Sequence, residues 1–314
     1  MKGRIGAAVA AFILTSLCLS FSALPCAAQA SEPIGSEWVY SLQEEYYGTV
    51  VSTGTWTLSC ERITPSPIGN ESVAAVEYHS VLIYESTSSS SSMGYQFLLV
   101  SSEDQYYDIN TSDFIGSVSE EHLNESYLSG GQTVSHTLDE RNVTVNTPPG
   151  GSGNVPASVS PGDTWTVTYT KVTNESGYED GIYFEKEYEW TETERFTYVG
   201  TESVSVQTGT FSCDKYTVEY SNGWTETFWW SQDVSSYAKV VDTDGYYDVV
   251  TYELSSYSRG SGSGGGTVEM GSDLFIAGFF SFVAATAVAA AYASVIVKRR
   301  DLQPEMYEEY GGQA

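Results

Sequence analysis

Between Ile182 and Tyr198 the chain alternates with a period of two. Ile182, Phe184, Tyr188, Trp190, Phe196 and Tyr198 share one phase, and Glu185, Glu187, Glu189, Thr191, Thr193, Arg195 and Thr197 share the other. Side chains repeat every two residues only on an extended strand. One face of this stretch must therefore lie on a core and the other in water. The pattern recurs. Trp165, Val167 and Tyr169 alternate with Thr164, Thr166, Thr168 and Thr170. Tyr216, Val218 and Tyr220 run into Asn222-Gly223, and Trp224, Phe228 and Trp230 run out of it. Asn-Gly between alternating aromatics predicts a hairpin, because the tight turn needs positive φ twice. Asp244-Gly245 predicts another turn. The first half alternates less cleanly, through Trp38, Tyr40, Leu42 and Tyr46, then Trp56, Leu58 and Cys60, then Ala74, Val76, Tyr78, Leu82 and Tyr84. No amphipathic helix is convincing between 31 and 258, Ser119–Tyr127 being the one short candidate. The expected fold class is all-β and antiparallel.

The two ends of the chain read differently. Lys2 and Arg4 precede an apolar run from Ile5 to Leu24, and Ala28-Gln29-Ala30 supplies a small-x-small cleavage site. Residues 1–30 are thus expected to be a secretory signal peptide. Leu274 to Val297 carries no charge and is long enough to cross a hydrocarbon core of roughly 30 Å. Lys298-Arg299-Arg300 follow it directly. The span 273–297 is expected to be a transmembrane helix, with the tail 298–314 in the cytoplasm and the rest outside, a single-pass type I topology in the cell membrane. Ala277, Ser281, Ala285, Ala289 and Ala293 recur every fourth residue and could seat a second copy of the helix. Ser258–Gly266 is rich in Gly and Ser, so 258–272 reads as a flexible linker.

The extracytoplasmic part, 31–257, carries the charge. Residues 31–271 hold 36 acidic and 8 basic side chains, which accounts for the whole net charge of −28. Such a surface repels nucleic acid and attracts cations and basic partners. A 14% share of aromatic residues separates it from a disordered acidic tail. Gly35-Ser36-Glu37-Trp38 and Gly162-Asp163-Thr164-Trp165 open two similar stretches, and 146–162 is rich in Pro, Gly and Ser. Two halves, 31–145 and 155–257, are the implied subdivision.

Four groups of residues invite chemistry. Cys60 and Cys213 remain after signal removal, and outside the cell an isolated pair usually oxidises. The bridge would close a loop of about 150 residues, worth on the order of 4–5 kcal/mol; the alternative is two unlinked thiols. Sequons stand at Asn70, Asn110, Asn124, Asn142 and Asn174. Asp242, Asp244 and Asp248 are dense enough in oxygen to suggest Ca²⁺, although Asp244-Gly245 already explains itself as a turn. His79, His122 and His136 form no metal or catalytic spacing. No phosphate-binding glycine loop and no nucleophile elbow is present, so neither an enzyme nor a cofactor is expected.

An ordered series in the second half resembles a group of secreted or lipid-anchored β-proteins. The series is Pro161-Gly162-Asp163-Thr164-Trp165, then Val206-Gln207-Thr208-Gly209-Thr210-Phe211-Ser212-Cys213-Asp214-Lys215-Tyr216, then Trp224–Trp230, then Tyr252-Glu253-Leu254-Ser255-Ser256-Tyr257. The resemblance covers about a hundred residues. It implies a strongly curved antiparallel sheet or half-open barrel, similar to lipoprotein carriers that shelter an acyl chain. Trp165, Trp190, Tyr216, Trp224, Phe228 and Trp230 would then face a hydrophobic or lipid-like ligand. The alternative is a structural or adhesive envelope protein with no small-molecule ligand.

Overall fold

The computed structural model describes residues 29–32, 34–68, 73–87, 95–109, 113–129, 132–153, 158–244, 248–260 and 268–271. The expected signal peptide up to residue 28, the span 273–297 with its small-residue row, the tail 298–314, and the sequons at Asn70 and Asn110 lie outside the described residues.

Fourteen strands make up the described chain. They are β1 Gln29–Glu32, β2 Glu37–Tyr46, β3 Thr49–Pro65, β4 Ala74–Ser86, β5 Tyr95–Asp108, β6 Phe114–Ser129 and β7 Gln132–Gly153, followed by β8 Thr164–Glu179, β9 Ile182–Val206, β10 Gly209–Tyr220, β11 Thr225–Ser231, β12 Ser236–Thr243, β13 Asp248–Ser258 and β14 Val268–Gly271. Strands β2 to β13 form one closed barrel in sequence order, each antiparallel to its neighbours. The all-β antiparallel expectation is met, and the half-open sheet is not. β13 pairs with β2 from Asp248↔Tyr46 to Ser258↔Glu37, which joins the two terminal strands of the sheet. Ser119–Tyr127 lies inside β6 and is strand rather than helix, because Glu121, Leu123 and Glu125 all turn inward.

Both expected halves contribute six strands to the one barrel. The join between them is not a free linker, since Asn146–Gly153 continues β7. The two Gly-x-x-Trp segments are two uses of one entry turn. Gly35 and Gly162 both have positive φ, 87° and 94°, and donate their N–H groups to Cys60 O and Tyr198 O, each at 2.7 Å. Each turn aims its tryptophan, Trp38 or Trp165, into the barrel. Outside the barrel, Val268–Gly271 pairs with Gln29–Glu32, so part of the segment read as linker is a strand.

Following paired residues around the ladder from Thr164 leads through Thr197, Thr217, Thr227, Val241, Thr251, Gln43, Thr53, Glu85, Leu98, Asn124 and Thr137. Thr137 O then accepts the N–H of Asp180, which closes the circuit sixteen residues further along the β8 side than it began (164 to 180). Twelve strands enclose more volume than the roughly eight whose side chains just fill a barrel. The surplus is taken up by very large side chains and by polar ones. Trp38, Tyr40, Trp56, Tyr84, Phe228, Tyr237 and Tyr252 belong to a single apolar cluster with Leu82, Val240, Val250 and Leu254. This cluster covers the inner faces of β10–β13 and β2–β4 and runs on to Phe97, Leu99 and Tyr107 on β5, Leu123 on β6, Leu138 on β7 and Trp165, Val167 and Tyr169 on β8. Hydrogen bonds serve its polar tips: Trp38 Nε1 donates to Val234 O at 2.8 Å, and the Tyr40 hydroxyl meets Ser236 Oγ.

Candidate functional site

The facing wall, β5 to β8, carries a polar inner patch beside its share of the apolar cluster. Its inward residues include Ser101, Glu103 and Gln105 on β5, Ser117, Ser119 and Glu121 on β6, Glu140, Asn142 and Thr144 on β7, and Lys171, Thr173 and Glu175 on β8, all buried. Register places Glu121 opposite Glu140 and Asn142 opposite Glu175. Four carboxyl groups, Glu103, Glu121, Glu140 and Glu175, thus share one dry patch. Burial is the main cause pushing all four above the usual carboxylate range, and Glu103 and Glu121 reach about 7. Neighbouring carboxylates push Glu121 and Glu140 further. Opposing forces act on Glu103: Gln105 Nε2 donates to it at 2.7 Å, and the field of Lys171 favours its anion. Lys171 is fully buried and stands 5.4 Å over the Trp190 ring.

A second carboxyl group lies where β9, β11 and β12 meet. Glu226 and Asp242 are directly opposite each other. Burial first, then mutual repulsion, drives Glu226 well above its ordinary value, and burial does the same to Asp242 and Glu194. Tyr220 donates to Glu226 at 2.9 Å, and Tyr169 donates to Glu194. Burial thus favours the protonated form of each of these carboxyl groups over its anion.

His136 stands between Glu125 Oε1 at 3.3 Å and Glu179 Oε1 at 3.2 Å. The Glu125 contact is the largest influence, and it lifts the imidazole to about 9, so it is an imidazolium at neutral pH. His136, Leu138, Glu140, Glu175, Glu179, Phe184 and Lys186 line a cleft of about 10 Å³, room for one water. Lys186 Nζ reaches Glu175 Oε1 at 3.5 Å and sits over the Phe184 ring.

The residues expected to face an apolar ligand are only partly brought together. Tyr216 stacks on Phe228 at 5.1 Å and stands edge-on to Trp165 at 6.4 Å; Trp165 stacks on Phe196 at 5.3 Å, and Trp230 meets Tyr237 at 5.5 Å. These side chains fill the interior against one another. Trp190 lies elsewhere, beside Lys171, and Trp224 is half-buried at the β10–β11 turn.

Three other expectations are corrected. Cys60 and Cys213 form no disulfide; they lie on β3 and β10, five strand positions apart around the wall, each buried in the apolar core. At roughly 4.8 Å per strand that separation exceeds what a disulfide spans along the wall. Burial raises the Cys213 thiol to about 11. Asn142 turns into the barrel and donates to Glu140, leaving no room for a glycan, whereas Asn124 and Asn174 are exposed. Asp242 points inward to Glu226, while Asp244 Oδ1 accepts the Asp248 N–H and closes the β12–β13 connection. Among the described residues no three His, Cys, Asp or Glu side chains have metal-holding geometry.

The buried charges were missed although parity contains them. In β9 the inward phase of Phe184 and Trp190 includes Lys186, Glu192 and Glu194; in β8 the phase of Trp165 and Tyr169 runs on to Lys171 and Glu175. In a chain this acidic, an inward glutamate looks like every outward one.

No family model matches the chain, and no curated protein matches it. A solved structure that it resembles is a Bacteroides fragilis protein described as exported and YmcC-like in fold. Identity is 11%, the match covers 74% of this chain and 100% of that one, and the TM-score is 0.32. A likeness at that score adds nothing to the fold read from the strand order.

Proposed function

We propose that this chain is an extracytoplasmic, non-catalytic β-barrel, carried on the cell membrane by its C-terminal apolar span, that works through its surface as a structural or adhesive envelope component. The observation that carries this reading is the filling of the aromatic interior. Trp165, Tyr216, Phe228 and Trp230 pack on each other and on Phe196 and Tyr237 rather than around an open space. A carrier needs an apolar space of several hundred Å³. The signal peptide, the type I span and the pairing row from Ala277 to Ala293 are parts of the same proposal, supported by the order of apolar runs and charges at the two ends.

Native mass spectrometry of residues 31–271, secreted from a eukaryotic host, tests it. The expected mass is that of the polypeptide with glycan at Asn124 or Asn174 and nothing that organic solvent extracts. A stoichiometric, extractable lipid would overturn the reading in favour of the carrier.

A further inference from the structure

The barrel is closed, yet one stretch of wall has an open side. The β9–β10 ladder ends at Glu194↔Tyr220, while β9 pairs with β8 back to Ile182. Ile182 to Thr193 therefore hydrogen-bonds to β8 and, among the described residues, to no second strand.

The phase of the free groups follows from the turn. Asp180 and Gly181 both have positive φ, 51° and 77°, and close a two-residue hairpin in which Glu179 pairs with Ile182. Such a closing pair exchanges both hydrogen bonds, and the β8–β9 register runs without a shift. Tyr183, Glu185, Glu187, Glu189 and Thr191 hence turn their N–H and C=O groups to the open side. The side chains of Glu185, Glu187 and Glu189 stand exposed on the outer face, and Phe184, Tyr188 and Trp190 lie half-buried on the inner one together with Lys186, which is paired with Glu175. Edge strands are normally short or interrupted; this one keeps about twelve extended residues in register, with aromatic groups along it.

We propose that this edge takes up an extended basic segment of a partner protein by strand addition. The proposal rests on the reading that the barrel works through its surface. Lysine or arginine at every second position would stand opposite Glu185, Glu187 and Glu189, and the apolar residues between would cover Phe184, Tyr188 and Trp190. Charge selects the occupant. A second copy would set three glutamates against three, and an acidic partner would meet the −28 net charge of the ectodomain.

The test is fluorescence anisotropy on the full-length chain in detergent micelles, in about 150 mM salt, where distant surface charges are screened. The probe is a labelled ten-residue peptide of alternating lysine and valine. One control replaces valine by glycine, which keeps the charge and loses the strand preference; another replaces lysine by glutamate. The lysine–valine peptide is expected to bind and the controls are not. Glu187→Pro removes one N–H on the open side, where proline is tolerated, and is expected to weaken binding about ten-fold or more with an unchanged unfolding midpoint. Should that variant fail to fold, the triple reversal Glu185→Lys, Glu187→Lys, Glu189→Lys decides, because it is expected to lose the lysine–valine peptide and bind the glutamate–valine one. Equal binding of the glycine control, no binding at all, or binding indifferent to both variants overturns the proposal. A lipid-free barrel that binds no peptide sinks this inference and leaves the surface reading standing.

Discussion

The two walls of the barrel are built from the same backbone ladder and filled in opposite ways. Along β10–β13 and β2–β4 the inward row is aromatic and aliphatic, and carboxyl groups enter only near the hairpin turns, at Glu44, Glu226, Asp242 and Asp248. Along β5–β8 the carboxyl groups sit mid-strand among serines, asparagine and a buried lysine. The apolar wall gains from water it excludes; the polar wall gains only where each group finds a partner or keeps a proton. The apolar wall supplies most of the aromatic burial, and raised carboxyl groups mid-strand on the other wall and near the turns of this one make that hold depend on pH.

The largest expected effect belongs to the apolar wall. Trp56 is fully buried, with its ring 4.7 Å from that of Tyr40. Trp56→Ala should cost about 3–5 kcal/mol, read as a fall in the denaturant midpoint. A loss under 1 kcal/mol would mean the wall repacks, and the contrast would fail.

The next effect belongs to the polar wall. Glu103 is raised from 4.5 to about 7. A carboxyl held more tightly protonated in the fold contributes stability that is complete below pH 4.5 and is lost as pH climbs toward 7. The barrel should thus be more stable at pH 5 than at pH 8. His136, raised to about 9 from 6.5, adds the same sign over a higher window. Glu103→Gln mimics the protonated acid and should flatten the decline, with a gain of about 1–3 kcal/mol at pH 8. A midpoint that rises from pH 5 to pH 8 would contradict the arrangement of these groups.

The smallest effect is outside both walls. Arg195 Nη1 reaches Glu219 Oε2 at 3.1 Å with both side chains more than half exposed. Arg195→Ala should change stability by less than about 0.5 kcal/mol. A larger change would show that exterior pairs, and not the interior rows, set the difference.

The strands and several turns were legible because the aromatic rows of β8 to β11 have no other reading than period two; Asn222-Gly223 does lie in the β10–β11 turn, although only Gly223, at φ 91°, has the positive φ expected of both. Closure was not legible, since whether β13 meets β2 depends on stagger summed over every strand pair. The polar wall escaped for a different reason. In β6 and β7 apolar residues fall on both faces, with Ile115, Val118, Val143 and Val145 in a separate outer cluster, so the sequence carries no contrast that points into the barrel. Asn142 shows the consequence: a sequon by spelling, it turned out to be an inward residue fixed by Glu140.

The pairing of β13 with β2 joins residues about two hundred positions apart, from Tyr46 with Asp248 to Glu37 with Ser258. β2 is made first among the barrel strands and receives its second neighbour last. Until residue 258 has been synthesised, Trp38, Tyr40 and Leu42 lie on a strand with one side unclaimed. The chain therefore cannot finish folding piece by piece as it emerges. It must be kept from clinging to other chains for the whole time of its synthesis, and any truncation before β13 leaves an adhesive fragment instead of a smaller barrel.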